Sequence, residues 1–499
     1  VFGSRSYTYA ELDTVVNRVA NALRSRGVGK GDRVAMLSHN NDGFVVLYFA
    51  LARLGAISVP INFMLHANEV AFVLDHAEVG AVVAEPALIG TMDAALATST
   101  VGASVGLRLA LAEPGDEVPE AWARLDALYD HPDADEPWAD IADDDPVQLM
   151  YTSGTESRPK GATMTSRSLI AQYVSCVIDG RMSADDVEVH ALPLYHCAQL
   201  HCFLTPDIYL GATSIVLPAP DPSVLLAIIE RESVTKLFCP PTVWISLLRH
   251  PDFDRRDLSS LRKGYYGASI MPVEVLRELL RRLPGMDLFN FYGQTEMSPL
   301  ATILLPEDQV RKAGSAGRAS INVETRIVDD LDQPVPPGVV GEIVHRSPHA
   351  MAGYWRDAAK TADSFRNGWF HSGDLGVIDD EGYLSVVDRK KDMIKTGGEN
   401  VASREVEEVL YTHPAVAEVA VFGIPHPHWI EAVTAAVVLR ADVHLEPDEI
   451  IAFARERLAG YKVPKSVTIV TALPKNASGK VLKRDLRDQL ADSYAEGWS

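Results

Sequence analysis

Residues 151–161 read YTSGTESRPKG, and this run decides how the rest of the chain is understood. Thr152, Ser153, Thr155 and Ser157 place four hydroxyls within six residues. Gly154 lets the backbone come close to a ligand, and Lys160 adds a cation at the far end. Residues 146–150, just before it, are mostly apolar and read as a strand buried in a sheet. Such a loop is suited to wrapping a polyphosphate with N–H, O–H and ammonium donors. It is not a Walker A loop, because Lys160 follows Pro159 and precedes Gly161 instead of Ser or Thr. Composition alone leaves an ordinary polar surface loop as the commoner reading.

Outward from this loop the chain alternates. Leu12, Val15, Val16, Val19, Ala20 and Leu23 form one apolar helical face within residues 7–26. Strands are expected at 32–37, 56–60 and 81–85, with helices at 41–54 and 69–75. This strand–helix alternation predicts a doubly wound α/β sheet. Residues 131–145 (HPDADEPWADIADDD) hold seven acidic residues and two prolines, which marks a solvated linker. A second α/β run follows, with strands expected at 188–193, 213–217 and 236–239 and a helix at 222–231. Short strands around the turn at 334–338 indicate a small β subdomain. After the DRKKD cluster (388–392) the pattern becomes a compact α+β unit, whose first helix Ser403 is expected to cap.

A length of 499 residues suits about three compact units. The hydrophobic fraction of 47% supplies ample core. A net charge of −22 argues against nucleic acid and anionic membrane surfaces as partners. Four cysteines in so long a chain make no disulfide framework, so a reducing, cytoplasmic location is expected. The most apolar stretch, 44–65, is interrupted by Arg53, so no membrane span is expected.

Several further runs carry chemistry. NFYGQTEMS (290–298) sets an aromatic, a glycine, a hydroxyl and a carboxylate close together. YYGAS (265–269) ends an apolar run in small residues, past which a planar ring could slide. WFHSGDLG (369–376) presents Asp374 on a tight loop, where a carboxylate can accept two ribose hydroxyls. PKNASGKVLKR (474–484) sets Lys480 on a Ser-Gly turn. Each has a bland reading: a strand end, an Asp turn, a solvated lysine. LPLYHCAQLHC (192–202) superficially resembles a metal cluster, but His196, Cys197, His201 and Cys202 lack zinc-finger spacing.

The loop at 151–161 resembles the signature of the adenylate-forming superfamily, which includes acyl-CoA synthetases, luciferases and peptide-synthetase adenylation domains. The commonest form of that signature is YTSGTTGxPKG; here Glu156 and Ser157 replace Thr-Gly. The other runs match family segments in the expected order, including GSAGR (314–318) and GEIVHRSPHAMAGYW (341–355), so the likeness covers essentially the whole chain.

The resemblance implies a large N-terminal domain (1–388) of two doubly wound α/β subdomains plus a small β-barrel. A hinge (389–391) and a small mobile C-terminal α+β domain (392–499) follow. It places Thr152, Ser153, Gly154, Thr155 and Lys160 on the triphosphate. Tyr292, Gly293, Gly267, Ala268 and Ser269 would form the adenine wall, and Thr295 would meet the α-phosphate. Glu296 would hold Mg2+, which prefers carboxylate and phosphate oxygens. Asp374 and Arg389 would take the ribose. His196, Cys197, Gln199 and Gln294 would line the acyl pocket, and Lys391 would be the hinge. Lys395, Gly397 and Gly398 would border the CoA tunnel, and Lys480 would be the catalytic lysine.

Relatives that activate amino acids carry Asp where His196 stands, which argues against an amino-acid substrate. The implied partners are ATP, CoA and a small carboxylic acid, with a homodimer as the family's frequent assembly. The expected reaction is ATP-dependent ligation of a hydrophobic monocarboxylic acid to CoA. Loading of a separate carrier protein, or nucleotide binding without turnover, stay open as alternatives.

Overall fold

The computed structural model describes residues 1–152, 159–269, 271–390, 392–396, 399–441, 443–475 and 481–490. Its first element is the helix Tyr9–Ser25. Thr8 starts it: the Glu11 N–H donates to Thr8 Oγ1, and the Thr8 N–H donates back to Glu11 Oε2 at 2.7 Å. Val16, Val19, Ala20 and Leu23 are buried, as their spacing requires. The helix Asp42–Leu54 is capped by Asn41 and stopped by Gly55 in the left-handed region at φ +68°. The two helices share one core with the sheet beneath them.

That sheet has eight strands. Five strands, Ile57–Ile61, Arg33–Leu37, Ala81–Ala84, Leu107–Ala110 and Ala123–Arg124, run parallel to their neighbours. Pro146–Thr152 continues them in parallel beside Ile57–Ile61. Lys160–Thr165 then pairs antiparallel with Pro146–Thr152, and Gly353–Tyr354 antiparallel with Lys160–Thr165. The second sheet has seven strands. Thr213–Val216, Val187–His190, Lys236–Phe238, Lys263–Gly267 and Asp287–Gly293 run parallel. Leu300–Leu304 and Arg318–Ala319 close it antiparallel. Both sheets are therefore mixed, and they carry the doubly wound α/β arrangement that the alternation predicts.

On the second sheet an aromatic core forms, with Phe203 stacked on Phe238 at 4.3 Å and Tyr265 on Phe289 at 4.9 Å. The buried Tyr265 hydroxyl donates to the Gly180 carbonyl at 2.5 Å, so this aromatic leaves no polar atom stranded. The third sheet is antiparallel and five-stranded, the half-barrel that answers to the expected small β-barrel. Its central strand Trp369–Ile378 pairs with Gly341–Arg346 and Leu384–Arg389.

The last unit packs the helices Ser403–Tyr411 and Pro447–Arg455 on a sheet built around the hairpin Val416–His426 and Ile430–Leu439. Ser403 is not the cap of its helix. The cap position is Ala402, and the Ser403 N–H and hydroxyl both donate to Asp388 Oδ2, at 2.7 and 2.8 Å. A carboxylate from the half-barrel's last strand thus does the capping across the junction. Lys483 donates to the Ser403 hydroxyl at 2.6 Å, and Arg404 reaches the carbonyls of Gly314 and Val386. The acidic stretch 131–145 is mostly exposed, Trp138 to 83%. It is still tied back to the first helix and its turn, by Asn21 to the carbonyls of Asp133 and Asp135 and by Lys30 to Asp145. Among the described residues no helix is long and apolar enough to cross a membrane.

Candidate active site

Parallel strands end in loops on one edge, and ligands of open α/β sheets bind at those carboxyl ends. Thr152, His190, Phe238, Gly267 and Gly293 all close such strands. Two glycines set the close approach there. A Cβ on Gly267 would stand 2.4 Å from the Phe291 carbonyl oxygen, and one on Gly293 1.8 Å from that of Pro299. Ala268 follows in the left-handed region, at φ +62°, and Ala268 and Ser269 are exposed at the strand end.

The strand Asp287–Gly293 delivers Tyr292 to Asp374. The Tyr292 hydroxyl donates to Asp374 Oδ2 at 2.7 Å, and burial with the neighbouring Asp374 charge keeps that phenol protonated. Arg389 Nε lies 3.5 Å from Asp374 Oδ1, because the two residues are register partners on adjacent strands. Gln294, expected in the acyl pocket, faces this group instead. Its Nε2 donates to the Tyr292 hydroxyl at 2.8 Å and to Asp374 at 3.0 Å, while its Oε1 is buried without a partner among the described residues. Its place after the strand end turns the amide back toward Tyr292.

On the phosphate side, Thr152 and Lys160 are cross-strand partners at the base of the hairpin. Ser153, Gly154, Thr155, Glu156 and Ser157 lie outside the described residues. Lys160 Nζ sits 5.7 Å from the Tyr354 ring centre, and the Tyr354 hydroxyl donates to Glu296 Oε1 at 2.7 Å. Burial, then the Glu296 charge, push the Tyr354 phenol up, so it stays a donor. Tyr354 was not singled out from the sequence; a hydroxyl in the GYW run was the available signal. Among the described residues only the Tyr354 hydroxyl bonds the Glu296 carboxylate, at Oε1. One carboxylate beside substrate phosphates is a normal Mg2+ environment, so the residues present fit that ion.

Thr295 joins the two halves: its Oγ1 lies 3.3 Å from Cys197 Sγ. Cys197 is a neutral thiol, pushed up to about 12 by burial. Next to it a narrow pocket is walled by Leu192, Pro193, Phe238 and Pro240, with His196 and Gln199 at its side. His196 starts a short helical turn, its Nδ1 accepting the Ala198 N–H at 3.2 Å. His196, Cys197, His201 and Cys202 form no metal-like group among the described residues, as their spacing led one to expect. His201 is held between Gln148 and Tyr173, and Cys202 lies by the Gln172 amide. Among the described residues the metal-like grouping is elsewhere, at Glu188, His190 and Asp207, where Lys236 Nζ bridges Glu188 and Asp207 and supplies the cation. Lys395 is exposed on the small unit, its N–H donating to Glu431. Lys391, Gly397, Gly398 and Lys480 lie outside the described residues.

Comparison with known proteins agrees with this geometry. The family model described as AMP-binding enzyme matches residues 1–355, and its C-terminal domain matches 405–480. A feruloyl-CoA synthase of Amycolatopsis sp is 40% identical, over 97% of this chain and 94% of its own. The long-chain-fatty-acid–CoA ligase FadD13 of Mycobacterium tuberculosis is 36% identical, over 97% of this chain and 93% of its own. Among solved structures, ATP-bound MatB from Rhodopseudomonas palustris superposes with a TM-score of 0.90 at 32% identity, covering 99% of this chain and 95% of that one. The chain therefore belongs to the AMP-binding, adenylate-forming family, and within it is an AMP-forming acyl-CoA ligase.

Proposed function

We propose that this ligase activates a hydrophobic monocarboxylic acid, first as its acyl-adenylate and then as its CoA thioester. The observation that carries the reading is the contact between Thr295 and Cys197. It sets an apolar pocket beside the Glu296–Tyr354–Lys160 group on the phosphate side. Among the described residues the pocket walls offer no fixed cation to pair a second carboxylate on the substrate.

In the first half-reaction a carboxylate oxygen attacks the α-phosphorus of ATP and pyrophosphate leaves. Tyr292 and Gly267–Ser269 border the base, and Asp374 with Arg389 takes the ribose. Lys160 and Thr152, with Ser153, Gly154 and Thr155, offset phosphate charge, as preorganised donors do. Glu296, oriented by Tyr354, would hold Mg2+, which supplies charge neutralisation at the phosphates. Lys480 would reach the substrate carboxylate and the α-phosphate. In the second half-reaction the CoA thiol attacks the acyl carbon, AMP leaves, and the thiol proton goes to solvent. A turn of the small domain about Lys391, bringing Lys395, Gly397 and Gly398 to the entrance, would separate the two halves.

The test is CoA-dependent AMP release and thioester formation across short, long, aromatic and polycyclic acids. Thioester with apolar acids is expected. Turnover confined to dicarboxylates would overturn the acid assignment, and pyrophosphate release without thioester would point to a carrier-protein acceptor.

A further inference from the structure

The Asp374 carboxylate is buried, and its backbone is fixed. The Asp374 N–H donates to Ser372 Oγ at 3.0 Å, and the residue is the register partner of Arg389 on the next strand. What stays soft in such a residue is rotation about the Cβ–Cγ bond, which decides which oxygen faces a ligand. Two donors settle that rotation. The Tyr292 hydroxyl donates to Oδ2 at 2.7 Å, and Gln294 Nε2 donates to the same oxygen at 3.0 Å. A carboxylate oxygen offers two lone pairs, so Oδ2 is filled. Oδ1 accepts no hydrogen bond among the described residues, with Arg389 Nε 3.5 Å away. Oδ1 is therefore the oxygen left for a sugar hydroxyl.

The second N–H of the Gln294 amide donates to the Tyr292 oxygen at 2.8 Å. Both amide protons are thus in use, and the three side chains close a triangle of hydrogen bonds. Turning the amide over would set its carbonyl against the carboxylate, so the nitrogen is the atom that faces Asp374. The backbone holds Gln294 equally firmly. It stands between Gly293, the last residue of its strand, and the turn Thr295–Met297, and its carbonyl accepts the Met297 N–H at 2.8 Å.

We propose that Gln294 is a positioning residue for the nucleotide: it fixes Asp374 with Oδ1 toward the ribose, and so sets the preference for a ribonucleotide over its 2′-deoxy counterpart. This rests on the reading of the chain as a ligase in which Asp374 takes the ribose. An acceptor aimed at a hydroxyl rejects the analogue that lacks it, because the acceptor is then left unpaired. A carboxylate free to turn finds another partner and rejects less.

The experiment measures binding by calorimetry, with Mg2+ but without acid or CoA, so that no turnover is needed. The probes are ATP and 2′-deoxy-ATP. The native protein is expected to bind ATP about tenfold or more tightly than the deoxy compound, the worth of one hydrogen bond to a charged group. Gln294→Met keeps the length of the side chain and removes both donors, and should lower that ratio about threefold or more. Gln294→Glu keeps the shape but opposes Oδ2 with an acceptor, and should lower it at least as far. Asp374→Ala should bring the ratio near one, and adding Gln294→Met to it should change the ratio no further, since the two act through one contact. In turnover, Gln294→Met should raise KM for ATP while KM for the acid holds.

A native ratio near one, an undiminished ratio in Gln294→Met, or an equal fall in the ratio when Asp374 is already Ala would each overturn the proposal. So would a raised KM for the acid with the sugar ratio intact, which would return Gln294 to the acyl pocket. An unchanged ratio in Asp374→Ala would take the ribose assignment down with it. Failure to form any thioester while the ratios behave as expected would count against the ligase reading alone.

Discussion

Tyr354 ties the strand Gly353–Tyr354 to the phosphate side through one hydroxyl on Glu296. A hydrogen bond to a charged group contributes about 1.5–3 kcal/mol. Tyr354→Phe removes it and keeps the ring beside Lys160. Pyrophosphate release should slow roughly tenfold, in line with that magnitude, and half-maximal rate should need more Mg2+. A magnesium titration of the initial rate checks this. An unchanged curve would mean that Glu296 needs no orienting partner.

At the scale of elements, the carboxyl edge of the second sheet depends on close strand approach. Gly293→Ala would push a methyl against the Pro299 oxygen and the Ala301 nitrogen, both backbone atoms that cannot turn aside. Unfolding free energy should fall by about 4 kcal/mol or more, the range of exceptional single substitutions. Gly285→Ala, with nothing within 4 Å of the added methyl, is the control and should change stability little. Denaturant midpoints compare the two; equal midpoints would contradict the steric account.

The strands were legible because buried runs such as 33–37 and 81–84 are short, apolar and bounded by turns. Gly293 could be read as a loop glycine but not as an obligatory one, since the atoms it would strike lie on the returning strand. The contact of Gln294 with Asp374 was not legible for a related reason. Its neighbours in sequence suggest the pocket, while its partner Asp374 arrives from the half-barrel. The ion group at Glu188, His190, Asp207 and Lys236 left no sequence signal, because three separate elements bring it together. Ser403 shows the same limit. A serine at a helix start reads as a cap, yet the acceptor comes from Asp388.

At the scale of the whole molecule, the Asp388–Ser403–Lys483 chain joins the large and small units. Glu407 completes it, 2.8 Å from Lys483. Asp388→Ala removes the helix-capping acceptor, which should weaken docking by about 1 kcal/mol, the usual value of an N-cap. Trypsin cleavage after Arg389, Lys390 or Lys395 should then quicken about fivefold, the factor that this energy implies. Limited proteolysis followed by mass spectrometry reads it directly. An unchanged cleavage rate would show that the junction is held by Arg404 and its carbonyl partners instead.

The pocket walls come mostly from segments that leave the sheet, residues 192–199 and Pro240, with Phe238 the last residue of its strand. The glycines and ion pairs that hold the frame lie on other positions. Changes in the wall can therefore accumulate while the nucleotide side stays fixed. One scaffold can drift between aromatic and aliphatic acids by a few substitutions, which makes this wall the natural target for redirecting the enzyme toward a chosen acid.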